Sequence, residues 1–125
     1  MKKIIKTTNA PSAIGPYSQA VLSNGFLFIS GQLGVKPNGE FAADNVIEQA
    51  KQSMRNLEAI LKEAQMSFEN VVKTTIFLAD IDDFAKVNEV YEEYFNGNFP
   101  ARSTVAVKTL PKNALVEIEA IAIKE

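Results

Sequence analysis

The sequence predicts an α+β domain in which a mixed β-sheet carries two helices on one face. Two segments place apolar residues at helical spacing, and the remaining ordered segments are β-branched or alternate apolar with polar residues. The 125 residues correspond to one domain, residues 1–125, which is long enough to bury a core of its own. The predicted order is strand, β-hairpin, helix, strand, helix, strand, strand.

The first half of the chain supplies the hairpin and the longer helix. Residues 2–7 form a short edge strand whose lysines discourage pairing with another chain. Residues 17–22 and 25–31 pair around a Ser-Asn-Gly turn. The longer helix begins near Asn45, which has a glutamate three residues on as in a capping box, and it ends by Met66.

The second half supplies the shorter helix and the remaining strands. Residues 70–79 are β-branched and predict a strand. We expect Asp82 to cap the shorter helix and Gly97 to stop it. Residues 103–108 and 114–123 then alternate as strands, separated by a proline-containing turn.

Composition excludes several classes of protein. The chain has no cysteine and no histidine, which removes thiolate nucleophiles, Ser-His-Asp chemistry and nearly every zinc enzyme. A net charge of −2 argues against a nucleic-acid or membrane surface. The sequence shows no apolar run of membrane-spanning length and no secretory signal pattern, so a cytoplasmic location is expected. Any catalysis must use carboxylates, hydroxyls, cationic side chains, backbone amides or water.

The last strand carries two acidic residues in an otherwise apolar segment. Glu117 and Glu119 point to the same side, in a row that also holds Leu115 and Ile121. A glutamate at such a position is either a partly desolvated acid/base or part of a solvated stripe bordered by aliphatic side chains. The alternation does not choose between Glu117 and Glu119.

Other candidate residues lie where the backbone is stiff or sterically open. Arg102 follows a Phe-Pro-Ala segment, so its guanidinium suits a bidentate grip on a carboxylate or phosphate, although an arginine at the start of a strand is more often only a surface residue. Tyr17 offers a hydroxyl in an ordered loop, although packing is the more common role of such a tyrosine. Ser30 and Gly31 close an apolar strand, where glycine permits a ligand to approach the backbone or simply forms a turn.

Five short segments together resemble the RidA (Rid/YjgF) family. They are IGPYSQ (14–19), ISGQ (29–32), PARS (100–103), LPK (110–112) and EIEAIA (117–122). The resemblance covers essentially the whole chain. It implies a chorismate-mutase-like α+β sandwich that assembles as a homotrimer, with ligand sites in clefts between subunits.

The resemblance also implies an activity. The chain would be an enamine/imine deaminase that needs neither cofactor nor metal. It would convert 2-iminopropanoate and 2-iminobutanoate, formed from 2-aminoacrylate and 2-aminocrotonate, into 2-oxo acids and ammonia. Two alternatives on the same trimer are a small-molecule sensor with a regulatory protein partner, and an RNA-cleaving translation inhibitor. The net charge and the missing basic-aromatic stripe argue against a nucleic-acid partner.

Residue roles follow from the resemblance by position. Arg102 would bind the substrate carboxylate, and Glu117 would hold the hydrolytic water and move protons. Thr104 would contact substrate, at a position where the family often has cysteine, with its backbone amide still able to serve. Four further residues would line the pocket or lie near it: Tyr17, Ser30, Gly31 and Asn88.

Overall fold

Six strands and two helices build the fold in a computed structural model that describes residues 1–124. The elements are β1 (Lys3–Ile5), β2 (Ala20–Ser23), β3 (Phe26–Leu33), α1 (Val46–Glu63), β4 (Val71–Leu78), α2 (Phe84–Glu92), β5 (Ala101–Ala106) and β6 (Val116–Ile123). The sheet order is β1-β2-β3-β6-β4-β5, with only β4 and β5 parallel. The predicted mixed sheet with two helices is therefore confirmed. Neither described helix is long and apolar enough to cross a membrane.

Both ends of α1 are fixed by local hydrogen bonds. The side chain of Asn45 accepts from the backbone N–H of Glu48 at 2.9 Å, as the sequence predicts. The helix stops before Met66 because Gln65 takes a left-handed conformation with φ of 60°. The Met66 N–H then turns back to the Leu61 carbonyl at 2.8 Å, which satisfies one of the helix's last acceptors.

Both helices pack on the same face of the sheet. Alternate residues such as Leu27, Ile76 and Ile118 point to this helix face and are fully buried. The intervening residues point to the opposite side of the sheet. We call this side the open face, and neither helix packs against it. Its residues include Val21, Phe26, Phe28, Thr75, Phe77, Ser103, Val105, Glu117, Glu119, Ile121 and Ile123.

Several predicted boundaries in the second half are wrong, and α2 ends at Glu92 rather than at Gly97. Asp82 does not cap α2: Asp80 accepts from the Asp82 N–H at 2.9 Å and opens a 3-10 turn, after which α2 begins at Phe84. β5 begins at Ala101 because its parallel ladder with β4 extends two residues further back than alternation suggests. Arg102 consequently lies inside the ladder, where its backbone is held by the neighbouring strand.

Candidate active site

A β-bulge in β3 places backbone directly beside Glu117. The register of β3 against β6 shifts between Ile29 and Gln32, which leaves Ser30 and Gly31 sharing one position of the partner strand. An extra residue of this kind bends the strand and turns local groups out of the ladder. The bulge therefore opens a shallow space on the open face next to the Glu117 carboxylate.

Gly31 is required there because the carboxylate occupies the space of a side chain. A Cβ built on Gly31 would lie 2.5 Å from Oε2 of Glu117 and 2.8 Å from its Cδ. Real Cβ atoms do not approach other atoms so closely. The glycine thus allows the carboxyl group to lie flat against the bulge.

The loop that carries Tyr17 is fastened to the same bulge. The Ser30 hydroxyl donates to the Ser18 carbonyl at 2.6 Å, and the Ser30 N–H donates to the Gln19 carbonyl at 2.9 Å. The buried Gln19 side chain in turn exchanges hydrogen bonds with the backbone of Thr7. Tyr17 is exposed, and its loop is held at the edge of the space around Glu117.

A cavity of about 840 Å³ surrounds these groups. We call this cavity the Glu117 cleft, and its lining includes Tyr17, Ser30, Gly31, Lys112, Glu117 and Glu119. Partial burial raises the pKa of Glu117 above its usual value, and the nearby Glu119 carboxylate raises it further. Among residues 1–124, no cluster of three or more carboxylates is placed to hold a metal ion.

One wall of the Glu117 cleft is held by polar side chains of α1, which the sequence pattern did not single out. Asn56 donates to the carbonyls of Leu33 and Val35, at 3.2 and 2.8 Å. Gln49 accepts from the Leu115 N–H at 2.9 Å, two residues before Glu117. Gln49 and Asn56 could have been recognised in the sequence as amide side chains on the buried side of the helix. A buried amide needs a hydrogen-bond partner, and here the partners are backbone groups outside the helix.

Arg102 lies in a second cleft, on the helix face near the outer strand of the sheet. Its Nη1 donates to Oδ1 of Asn88 at 2.8 Å, and its Cζ lies 5.0 Å from the ring centre of Tyr91 and 5.4 Å from that of Phe84. This space of about 460 Å³ is the Arg102 cleft, lined by Asn88, Tyr91, Glu92, Phe99, Pro100 and Arg102. The one ion pair among residues 1–124 joins Lys51 and Glu48 in α1, so the Arg102 guanidinium has no carboxylate partner.

Thr104 lies two residues after Arg102 on the same face of β5. Its hydroxyl oxygen is buried and has no hydrogen-bond partner among residues 1–124. A buried hydroxyl without a partner costs about 1–3 kcal/mol. The side chain is therefore a polar group still able to accept or donate a bond.

Arg102 and Glu117 lie on opposite faces of the sheet. Arg102 pairs with Thr74, which packs beneath α2, whereas Glu117 pairs with Phe77 on the open face. One chain thus brings the predicted residues together in two separate groups. They are Tyr17, Ser30 and Gly31 with Glu117, and Asn88 and Thr104 with Arg102.

Comparison of the sequence with known protein families shows to which family this chain belongs. Residues 7–124 match the family model described as Endoribonuclease L-PSP. The chain belongs to this family. The resemblance to RidA (Rid/YjgF) proteins is also confirmed, because the similar solved structures include a Rid family protein from Yersinia pestis and the YjgF gene product of E. coli.

Three relatives illustrate the match. A human protein named 2-iminobutanoate/2-iminopropanoate deaminase is 52% identical over 125 residues, covering 99% of this chain and 91% of its own. YyfA from Yersinia pestis, of the conserved Rid protein family, superposes with a TM-score of 0.96 at 48% identity, covering 99% of this chain and 100% of its own. TdcF from E. coli, crystallised with bound serine, superposes with a TM-score of 0.94 at 46% identity, covering 98% and 99%.

Proposed function

We propose that this chain is an imine deaminase that hydrolyses 2-iminopropanoate and 2-iminobutanoate to pyruvate and 2-oxobutanoate. The observation that carries the proposal is the pairing of chemistries on one chain: an unpaired, fixed guanidinium and a partly buried carboxylate with a raised pKa. The human relative named for this reaction is 52% identical over nearly the whole chain, which supports the same substrate class.

Arg102 is proposed to bind the substrate carboxylate. Asn88 occupies one nitrogen of the guanidinium, and the other N–H groups remain available for a two-pronged contact with an anion. The unpartnered Thr104 hydroxyl lies on the same strand face and is suited to donate a further bond to that carboxylate. Serine bound to TdcF supports a site for a three-carbon acid carrying nitrogen on its second carbon.

Glu117 is proposed to act on water and protons. In the reaction, water adds to the C=N carbon, the nitrogen takes up protons, and the C–N bond of the resulting carbinolamine breaks to release ammonia and leave a C=O group. A carboxylate must accept a proton from the attacking water and return it to the leaving nitrogen. A raised pKa suits both steps, because it brings the group nearer to neutral pH, where its ionised form can accept a proton and its protonated form can return one. The imine carbon is already electrophilic, so this scheme uses no cofactor or metal.

We infer that the complete site lies between two copies of the chain. Arg102 and Glu117 lie on opposite sheet faces, so one substrate can reach both only if the Arg102 edge of one copy meets the open face of another. Such a head-to-tail contact uses two different surfaces and closes as a ring rather than as a two-fold dimer. The resemblance gives three copies, and a trimer also covers the apolar open face.

A coupled assay tests the proposal. A serine dehydratase generates 2-aminoacrylate, and the protein should accelerate release of pyruvate. Arg102→Ala should lose this acceleration and pyruvate binding while keeping its circular dichroism spectrum, and Arg102→Lys should restore little because a point charge does not reproduce the fork. A wild-type protein that binds pyruvate without accelerating its release would instead favour the sensor alternative. A wild-type-like Arg102→Ala variant would remove Arg102 from the site.

A further inference from the structure

The guanidinium of Arg102 is held from one side by a single face of α2. Phe84, Asn88 and Tyr91 are spaced four and three residues apart, so they lie in a row along the helix. Asn88 fixes one nitrogen, and the two rings lie within 6 Å of the guanidinium carbon. Both distances fall in the range of cation–π contacts. The row therefore restrains both the position of the guanidinium and the tilt of its plane.

Tyr91 is itself held in place from two directions. Its hydroxyl lies 2.6 Å from the Thr74 hydroxyl, and Thr74 is the residue that pairs with Arg102 across the β4–β5 ladder. Its ring packs on Phe95 at 4.8 Å between centres. The aromatic ring beside Arg102 is thus linked to the neighbouring strand by a side-chain bond. A ring held only by packing would be freer to move.

We propose that Tyr91 and Phe84 are positioning residues that hold the Arg102 guanidinium in the orientation that receives the substrate carboxylate. This inference rests on the proposed function. Neither residue is assigned to bind substrate: they act through Arg102. In the sequence they belong to the apolar stripe of α2, where an aromatic residue is ordinarily only part of the core.

The expected kinetic signature is a rise in KM with little change in kcat. Arg102 binds the substrate carboxylate alike in the ground state and in the transition state. A less well held Arg102 therefore weakens the binding of both states equally. Replacement of either ring by leucine should weaken pyruvate binding and raise KM by roughly 5- to 30-fold, the range that a partly desolvated cation–π contact supports. Phe84→Leu is the safer variant because Phe84 is partly exposed, whereas Tyr91 is buried.

The test compares Phe84→Leu and Tyr91→Leu with Tyr94→Leu. Tyr94 is the same residue type as Tyr91, lies just after the end of α2, packs on Phe68, and makes none of the cation–π contacts of Arg102. Pyruvate affinity by calorimetry, kcat, KM and the melting temperature are measured for each variant. Phe84→Leu and Tyr91→Leu should lose affinity and raise KM with little change in kcat, and Tyr94→Leu should keep the wild-type affinity and KM.

Each outcome bears on a different claim. Equal losses in Tyr91→Leu and Tyr94→Leu, or a fall in kcat with unchanged KM, would mean that the rings only support packing. Unchanged affinity in Phe84→Leu and Tyr91→Leu, with normal wild-type turnover, would overturn the positioning role and leave the deaminase intact. A wild-type protein that neither turns over the imine nor binds pyruvate would contradict the proposed function and this inference together.

Discussion

The carboxylate of Glu117 occupies the space where any residue other than glycine at position 31 would place its Cβ. The nearest distance from that added carbon would be 2.5 Å, to Oε2. Gly31 belongs to the β3 bulge, so the bulge and the missing side chain together determine where the carboxylate lies. Glu117 and the bulge that positions it therefore belong to two strands, β6 and β3, which are far apart in sequence and adjacent in the sheet.

Gly31→Ala should displace Glu117 without unfolding the protein. The atom that must move is the end of a flexible side chain, so the melting temperature should change little. A misplacement of about 1 Å at a catalytic group lowers turnover by roughly 100-fold. Gly34→Ala is the contrasting variant, because its Cβ would meet the backbone of Gln49 in α1 and the loss should be in stability. An active Gly31→Ala variant would show that the position of Glu117 does not limit the reaction.

Glu117→Gln should abolish turnover and keep binding. The amide retains the shape but cannot accept a proton, which typically costs about 100- to 10,000-fold in rate. Pyruvate affinity should survive because Arg102 is untouched. Glu119→Gln is the matched control and should cost far less. An inactive Glu119→Gln variant beside an active Glu117→Gln variant would mean that Glu119, and not Glu117, transfers the protons.

Glu117→Gln should also make the protein more stable at neutral pH. Because burial raises its pKa, folded Glu117 keeps its proton to higher pH than the unfolded chain does. The folded state therefore binds more protons between the ordinary pKa of 4.5 and the raised one, and stability falls as pH rises through that interval. Glutamine removes this loss. Urea denaturation of both proteins at pH 4 and pH 7 checks the sign: a gain for the variant at pH 7 that disappears at pH 4.

The acid limb of the rate profile should respond to Glu119. Glu117 must be ionised to accept a proton, so kcat/KM should fall in acid at a pH above the ordinary carboxyl range. Burial raises this pKa most and the Glu119 carboxylate adds to it. Glu119→Gln should therefore move the acid limb to lower pH without removing it. A limb that stays in place would mean that Glu119 does not influence the group that titrates.

Thr104→Val should separate stability from binding. Valine has the same shape and removes a buried hydroxyl that lacks a partner, so the unliganded protein should be equally or more stable. If the hydroxyl binds the substrate carboxylate, pyruvate affinity should fall about fivefold, the effect of one ordinary hydrogen bond. Thr104→Ser keeps the hydroxyl and should keep the affinity. Unchanged affinity in the valine variant would exclude the hydroxyl from the site.

Much of the fold was predictable from local pattern. The apolar spacing and Asn45 cap of α1, the order of elements and the two-helix layer all follow from the sequence. The boundary errors arose where tertiary pairing extends or replaces local signals. Parallel pairing with β4 starts β5 at Ala101, and Asp80 takes the role expected of Asp82.

The candidate site was less predictable because it depends on register. Sequence motifs indicated Arg102 and Glu117, but nothing local shows that one lies under α2 and the other on the open face. The bulge at Ser30 and Gly31 likewise appears only when β3 is aligned with β6. The role inferred for Tyr91 was hidden because a helical aromatic stripe has the same appearance whether it fills a core or holds a cation.

Subunit complementation tests the shared site most directly. Arg102→Ala and Glu117→Ala chains are each inactive alone; they are mixed one to one, exchanged in mild denaturant and refolded together. If each site takes Arg102 from one copy and Glu117 from the next, about a quarter of sites in a ring regain both residues, and activity should return to about a quarter of the wild-type value. Refolded mixtures that remain inactive, although mass spectrometry shows mixed oligomers, would contradict a site built between two chains.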